Sequence, residues 1–417
     1  MRNKMWMVGL GWLLSLLYLL STAASGGQSS RVELDRLTGE AEELWAQGKA
    51  EQALKTLEQA VTQAWELGER GREWRLRDRM ARIYLEQEQY KPALEYFQQG
   101  LRVALDLGDR SAQAVELVAI GEMFTVLKEQ QHAITTYEAL LALEQERQDP
   151  MGQWRAYYSL GFAHKANENA AQAIPYMERA LEFARTLQDQ SLELAALQEL
   201  QADVAGLRDY GKVAQYSEAI VKLARETGNK PLAAAALGTL GYAHEQLGNF
   251  RRAAVPYQEM LQASRELKDP GGEWQALDDL GRVTLKQGQL AQAVSYFQQA
   301  LTAAQRAGHK DGQVLALEHA GDAYRRTKEY GQAVRHFQQA LKTARAELLL
   351  EYERVLLSSI GSVYEEMGNV KGAVTHYQQA LTLARKLGDK EAEQELRDKV
   401  ARVSKQTGVR AAPARRR

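Results

Sequence analysis

A forty-residue period runs through this chain, and a period held over such a length leaves few architectures open. In the stretch Leu277–Leu301 the key residues are Leu277, Leu280, Gly281, Gly288, Ala293, Phe297, Ala300 and Leu301. One period on, the same chemistry returns as Leu317, Ala320, Gly321, Ala333, Phe337, Ala340 and Leu341. The next period gives Leu357, Ile360, Gly361, Gly368, Ala373, Tyr377, Ala380 and Leu381. Stepped both ways, the glycine slot reads Ala41, Ala81, Gly121, Gly161, Gln201, Gly241, Gly281, Gly321 and Gly361. Further along each repeat a slot reads Leu57, Phe97, Tyr137, Met177, Ser217, Tyr257, Phe297, Phe337 and Tyr377. The nine repeats hold one register with no insertion.

Each repeat reads as two helices. The first carries apolar residues at spacings of three and four, as in Leu237, Leu240 and His244, so one face is buried. Gly248-Asn249, Gly288-Gln289 and Gly368-Asn369 supply the turn that ends it. The second helix puts a small residue, an aromatic and another small residue on one face, as in Ala293, Phe297 and Ala300. Small residues let two helices approach and the aromatic fills the space beside them. Asp149-Pro150 and Asp269-Pro270 mark helix starts, where proline's missing N–H costs nothing. Pro92, Pro175 and Pro256 are expected in or near first turns. Alanine, leucine, glutamine, glutamate and arginine dominate and there are only 7 prolines, the composition of an almost wholly helical chain.

Leu277, Gly281, Ala293, Phe297 and Ala300 fall where tetratricopeptide repeats carry their signature residues, and the chain resembles that family over about residues 31–408. The usual unit has about 34 residues, so the forty-residue unit is similar to the long-repeat subclass seen in kinesin light chains and many bacterial sensor and scaffold proteins. The resemblance implies an all-α fold: a right-handed superhelical solenoid of about nine antiparallel helix pairs plus a C-terminal capping helix, with first helices lining a concave groove.

The ends fall outside the register. Arg2 and Lys4 precede an uncharged run, Met5 to Leu20, and then small residues from Ser21 to Gly27. That order reads as a signal peptide over residues 1–24, with an uncleaved anchor as the rival reading. A linker over 25–29 and the nine repeats over 30–388 follow, the first helix starting at the capping box Ser30-Arg31-Val32-Glu33. Residues 389–408 repeat only the first helix and, with charged outer faces, read as the polar end-cap a solenoid requires. The tail, 409–417, is basic and expected to be disordered. The expected location is exported, periplasmic or extracellular, the alternative being an inner membrane anchored by residues 5–24.

Repeat five departs from the pattern, with Gln201, Val213 and Ser217 in the three signature slots. Two readings are open there, a hinge or simple drift. Between repeats eight and nine, Leu348-Leu349-Leu350 fills the turn region, and burial by the next helix is favoured over an exposed contact patch.

Little in the sequence points to catalysis. Cysteine is absent, which excludes disulfides, thiolate metal sites and cysteine nucleophiles. No HExxH, phosphate-binding loop, GxSxG or dinucleotide glycine pattern occurs. His164 and His244 replace an aromatic of the core, while His336 and His376 continue a ladder with Tyr96, Tyr176, Tyr216 and Tyr296; none is placed to share a metal. With 53 basic against 54 acidic side chains there is no nucleic-acid footprint. The expectation is a non-enzyme without cofactor or metal.

The family's concave positions, carried over, are Arg75, Asp78, Arg82 and Glu86 in repeat two, and Arg155, Tyr158, Phe162 and Lys165 in repeat four. Repeat six offers Tyr242 and Glu245, repeat seven Asp278, Arg282 and Lys286, and repeat eight Glu318, Asp322, Arg325 and Arg326. None is asparagine, so neither the chaperone-type carboxylate clamp nor the asparagine ladder of kinesin light chains carries over. The expected partner is a protein or peptide segment whose apolar anchor meets Tyr158, Phe162 and Tyr242 between charged flanks. The competing reading is that these aromatics only cover the inner wall. The expected role is an interaction scaffold or adaptor of the cell envelope, with a peptide-responsive sensor, or a structural protein self-associating through Leu348–Leu350, as alternatives. A membrane enters as partner only if the N-terminal segment is uncleaved.

Overall fold

The computed structural model describes residues 28–405, so the leader and basic-tail readings lie outside the described residues. Among the described residues the secondary structure is helical throughout: α1 (28–46), α2 (Ala50–Glu66), α3 (Arg70–Glu86), α4 (Tyr90–Leu107), α5 (Arg110–Val126), α6 (Gln130–Arg147), α7 (Pro150–Ala166), α8 (Ala170–Thr186), α9 (Gln190–Gly206) and α10 (Tyr210–Glu226). There follow α11 (Lys230–Gln246), α12 (Phe250–Glu266), α13 (Pro270–Lys286), α14 (Leu290–Ala307), α15 (Lys310–Arg326), α16 (Tyr330–Ala346), α17 (Leu350–Glu366), α18 (Val370–Leu387) and α19 (Lys390–Lys405). Odd-numbered helices are the first helices of each repeat, and α19 is the unpaired cap.

The chain divides into two compact bodies, one ending at Asp203 and the other starting at Val204. The division falls inside α9, in the repeat that lost its signature residues. Successive helices pack on one another from α2 to α8 and from α10 to α19. First helices of successive repeats also touch directly, α5 with α7, α11 with α13, α13 with α15 and α15 with α17.

The glycine slot has a steric cause. A β-carbon on Gly321 would stand 2.7 Å from the Phe337 ring, and one on Gly361 2.7 Å from the ring of Tyr377. Phe337 and Tyr377 are each 1% exposed, and the alanines at 293, 333 and 373 are fully buried. Glycine thus removes the one atom that would hold the paired helices apart.

The true structural period is half the sequence period. A residue with positive φ recurs every twenty positions from Gly48 to Gly388, nine of them glycine and nine not, among them Lys128, Gln148, Arg208 and Leu348. At each, the helix ends in the same pair of bonds, as where Gly248 N–H donates to Glu245 O at 2.9 Å and Asn249 N–H to His244 O at 2.9 Å. At some of these turns the next residue's side chain also caps the following helix: Asp149 accepts from Met151 and Gly152, and Asp269 from Gly271.

Three local expectations need correction. The helix already runs at residue 28, so it does not start at Ser30 and residues 28–29 are not linker. Pro175 and Pro256 sit inside α8 and α12, beyond the first turn, so each removes a helical hydrogen bond. Both helices continue because their buried faces hold them to their neighbours. Leu348 is 78% exposed, with φ +57°, because it occupies the left-handed turn position; Leu349 does pack partly against the core.

Candidate functional site

In the N-terminal body, α3, α5 and α7 lie side by side and leave an open cleft of ≈ 690 Å³ between their exposed faces. Its floor is apolar, with Val115, Val118 and the run Trp154, Tyr158 and Phe162. These aromatics stand four residues apart on α7, so they form one stripe. Trp154 stacks on Tyr158 at 4.9 Å between ring centres, and Tyr158 meets Phe162 at 5.0 Å. Phe162 remains 38% exposed and Val115 39%. The indole N–H of Trp154 is buried with no hydrogen-bond partner.

Charge surrounds this floor unevenly. Arg75 and Arg155 are exposed and make no ion pair among the described residues. Arg82 donates to Asp78 at 2.7 Å, and Glu86 lies 3.8 Å from Arg79. Lys165 is already held by Glu199 at 2.8 Å and Asp203 at 2.9 Å. Burial raises the pKa of Glu122, against the pull of Arg155 and Arg82. Beneath Arg82, Glu116 is fully buried and takes a 2.6 Å bond from the Trp74 indole. One oxygen of Glu116 and one of Asp78 are buried without a partner. Burial, with the charge of Asp78, pushes the Glu116 carboxyl up to about 8, outweighing Trp74 and Arg82.

The C-terminal body treats the same register differently. Tyr242 is 45% exposed and meets Tyr210 edge-on at 6.0 Å. Arg282 is enclosed by Glu245 at 2.6 Å, Asp278 at 3.5 Å and Asp279. Asp278 is 6% exposed and bonds His319 Nδ1 at 2.7 Å. Burial raises Asp279 to about 6, against Arg282. Burial opposes the charged form of His319, but Asp278 and Glu318 outweigh it and hold its pKa above the ordinary value. Arg325 is bound to Asp322 at 2.7 Å and to Glu366, and Arg326 to Asp322 at 2.8 Å. Lys286 is exposed.

The sequence-derived candidates therefore divide. Arg75, Arg155, Phe162, Tyr242 and Lys286 present themselves to solvent, and Tyr158 lines the cleft half-buried. Asp278, Arg282 and Lys165 are engaged inside the fold, as are Arg325 and Asp322. Trp154, Val115, Val118 and Glu122 belong to the cleft and were not among the candidates, although the four-residue spacing of Trp154, Tyr158 and Phe162 is a readable signal. Among the described residues no group of three or more acidic or histidine side chains could hold a metal ion. Three histidines of these slots lie against aromatic rings, His164 stacked on Tyr176 at 5.0 Å, His336 tilted against Tyr324 at 4.9 Å and His376 tilted against Tyr364 at 5.2 Å.

Tetratricopeptide repeat models match residues 76–111 and 356–391, 155–186, and 275–346, so the chain carries repeats of this type in those stretches. No curated protein matches the sequence. Among solved structures, the chain is similar to BtubC from P. vanneervenii, at 17% identity and a TM-score of 0.45, over 52% of this chain and 92% of that one. It is also similar to a signal-transduction ATPase with a tetratricopeptide repeat sensor from Pyrococcus horikoshii, at 14% identity and a TM-score of 0.49, over 87% of this chain and 55% of that one. The apo form of RapI matches at 14% identity and a TM-score of 0.47, over 86% of this chain and 99% of that one.

Proposed function

We propose that this protein is a non-catalytic scaffold or adaptor of the bacterial cell envelope that holds a segment of a partner protein against its first helices. The observation that carries the reading is the cleft between α3, α5 and α7, with its aromatic stripe ending in the exposed Phe162. An apolar side chain of the partner fills the floor, and the unpaired Arg155 that lines it sets the direction of the segment, with Arg75 available on the same face of α3. Tyr242 offers a second aromatic contact in the other body. Export is supported by the order of basic, apolar and small residues at the start of the sequence.

The test starts with cross-linking in the cells of origin to identify the bound protein. The affinity of the purified chain for it is then compared with that of Phe162→Ala and Tyr242→Ala. Loss of one well-packed aromatic anchor weakens binding by on the order of 2 kcal/mol, about thirty-fold. Unchanged affinity in both variants refutes the reading. A second role, as a peptide-responsive regulator flexing in repeat five, is favoured by the division between Asp203 and Val204. It requires the radius of gyration to change when peptide binds; a constant radius removes it.

A further inference from the structure

The second helices of this chain mostly end alike. Near their last turn stand Arg185, Arg225, Arg265, Arg345 and Arg385, with Gln145 and Gln305 in two repeats. Four of the arginines reach the glutamate eight residues on: Arg185 to Glu193 at 2.8 Å, Arg265 to Glu273 at 3.0 Å, Arg345 to Glu353 at 2.7 Å and Arg385 to Glu393 at 2.9 Å. In repeats one and two the same position holds Trp65 and Leu105, which are 63% and 57% exposed. The glutamate that an arginine would take there, Glu73, is instead paired with Arg70 and Arg77. An exposed indole and an exposed leucine have replaced a polar strap.

The place of this substitution matters. α1 and α2 form an antiparallel hairpin, so the start of α1 lies at the same end as Trp65, and Arg31 joins Glu69 there at 2.8 Å. Val32, in the first turns of α1, is 64% exposed. The chain therefore enters the fold beside the patch. Before residue 28 come the seven small or polar residues Ser21–Gly27 and, before them, Met5–Leu20 without a charge. Seven residues span at most about 25 Å. A bilayer takes up such an apolar run with far more gain than a two-residue patch can offer. With the run in the bilayer, the short tether keeps this end of the hairpin at the headgroups, the level tryptophan prefers.

We propose that the edge formed by Val32, Trp65 and Leu105 is a lipid-facing surface that rests on the bilayer in which Met5–Leu20 is anchored. Most cations nearby are already matched, Arg31 by Glu69, Arg70 by Glu73 and Asp106, and Arg72 by Asp35, and the exposed Arg102 one turn before Leu105 is offset by the exposed Glu66 beside Trp65. The edge is thus close to neutral, and the chemistry it fits is a zwitterionic bilayer rather than an anionic one.

Because the natural chain has no cysteine, single probes are unambiguous. Trp65→Cys, Leu105→Cys and, at the same position of repeat seven, Gln305→Cys are labelled with an environment-sensitive fluorophore. Each full-length variant is reconstituted in phosphatidylcholine vesicles with or without headgroup-level nitroxide lipid. The expected result is at least twofold quenching at 65 and 105 and none at 305. Trp65→Arg with Leu105→Arg, which restores the residue most repeats carry, should lower quenching of a probe at Val32→Cys. Equal responses at 65 and 305 overturn the proposal. So does shielding at 65 without quenching, which marks either the run folded back on the patch or, if it grows with protein concentration, a second copy. A mature chain beginning near residue 25 removes the tether and also overturns it, without touching the reading of the cleft.

Discussion

Replacing Gly321 by alanine tests the reason for the repeat's most regular residue. In an exposed helix the change would stabilise by about 1 kcal/mol, because glycine loses more backbone freedom on folding. Here the new β-carbon meets three atoms of the Phe337 ring, at 2.7, 2.8 and 3.0 Å. Carbon contacts are comfortable at about 3.5 to 4 Å, so ring or helix must yield by roughly 1 Å. Phe337 is 1% exposed, with Ala340, Ala344 and Ile360 in the same core, so it has little room to withdraw. Overpacking of this kind costs about 1 to 3 kcal/mol, and the net effect is a loss of about 1 kcal/mol. The natural Ala81, in one core with Phe97, shows that a β-carbon can be accommodated at this slot, which puts the loss at the lower end of that range. Solenoids open locally, so amide exchange reads the effect better than a global melt. Exchange in α15 and α16 should accelerate several-fold in Gly321→Ala and more in Gly321→Val, while α2 and α3 stay unchanged. Phe337→Leu should relieve part of the penalty in the double variant. Slower exchange in Gly321→Ala would refute the steric account.

Two further substitutions probe the interior and the turns. Glu116, pushed up to about 8 from an ordinary 4.5, binds its proton more tightly folded than unfolded. The stability this gives is fully present below about pH 4.5 and is lost as pH rises through about 8, with a ceiling on the order of 5 kcal/mol. Glu116→Gln should flatten the decline and be the more stable protein at pH 9 in urea unfolding; parallel pH curves for the two proteins would contradict the assignment. Leu348→Gly should raise stability by about 1 kcal/mol, since a left-handed leucine is strained and this one is 78% exposed. A lower midpoint in thermal unfolding would show that Leu348 makes a contact its exposure does not reveal.

Much of the fold was legible because its constraint is written as missing atoms. A slot that reads glycine or alanine in eight of nine repeats, followed by a large side chain, describes two helices in contact. The twenty-residue half-period was not legible. The turn is made by backbone bonds at an exposed position, and glycine is only about 1 kcal/mol better there, so Lys128, Gln148 and Leu348 serve as well. Pro175 and Pro256 misled for a related reason: packing on neighbouring helices outweighs one absent hydrogen bond.

The candidate site was only half legible, and charge explains the other half. Residues at one register all point to the first-helix face, but whether they are available depends on partners nearly a full repeat away. Arg282 meets Glu245 across 37 positions, Arg325 meets Glu366 across 41, and Lys165 meets Glu199 across 34. Off that face the same device recurs, as in Arg79 with Glu42 and Lys230 with Glu266. The charges that look like recognition groups in a linear reading are therefore often ties between neighbouring helices. A partner that claimed Arg282 would have to displace Glu245 and leave a carboxylate stranded in a half-buried site, which costs more than a surface pair returns. Arg75 and Arg155 carry no such obligation, and neither do the open faces of Phe162 and Tyr242. On the proposed reading, recognition belongs to the side chains that the repeat leaves without a task.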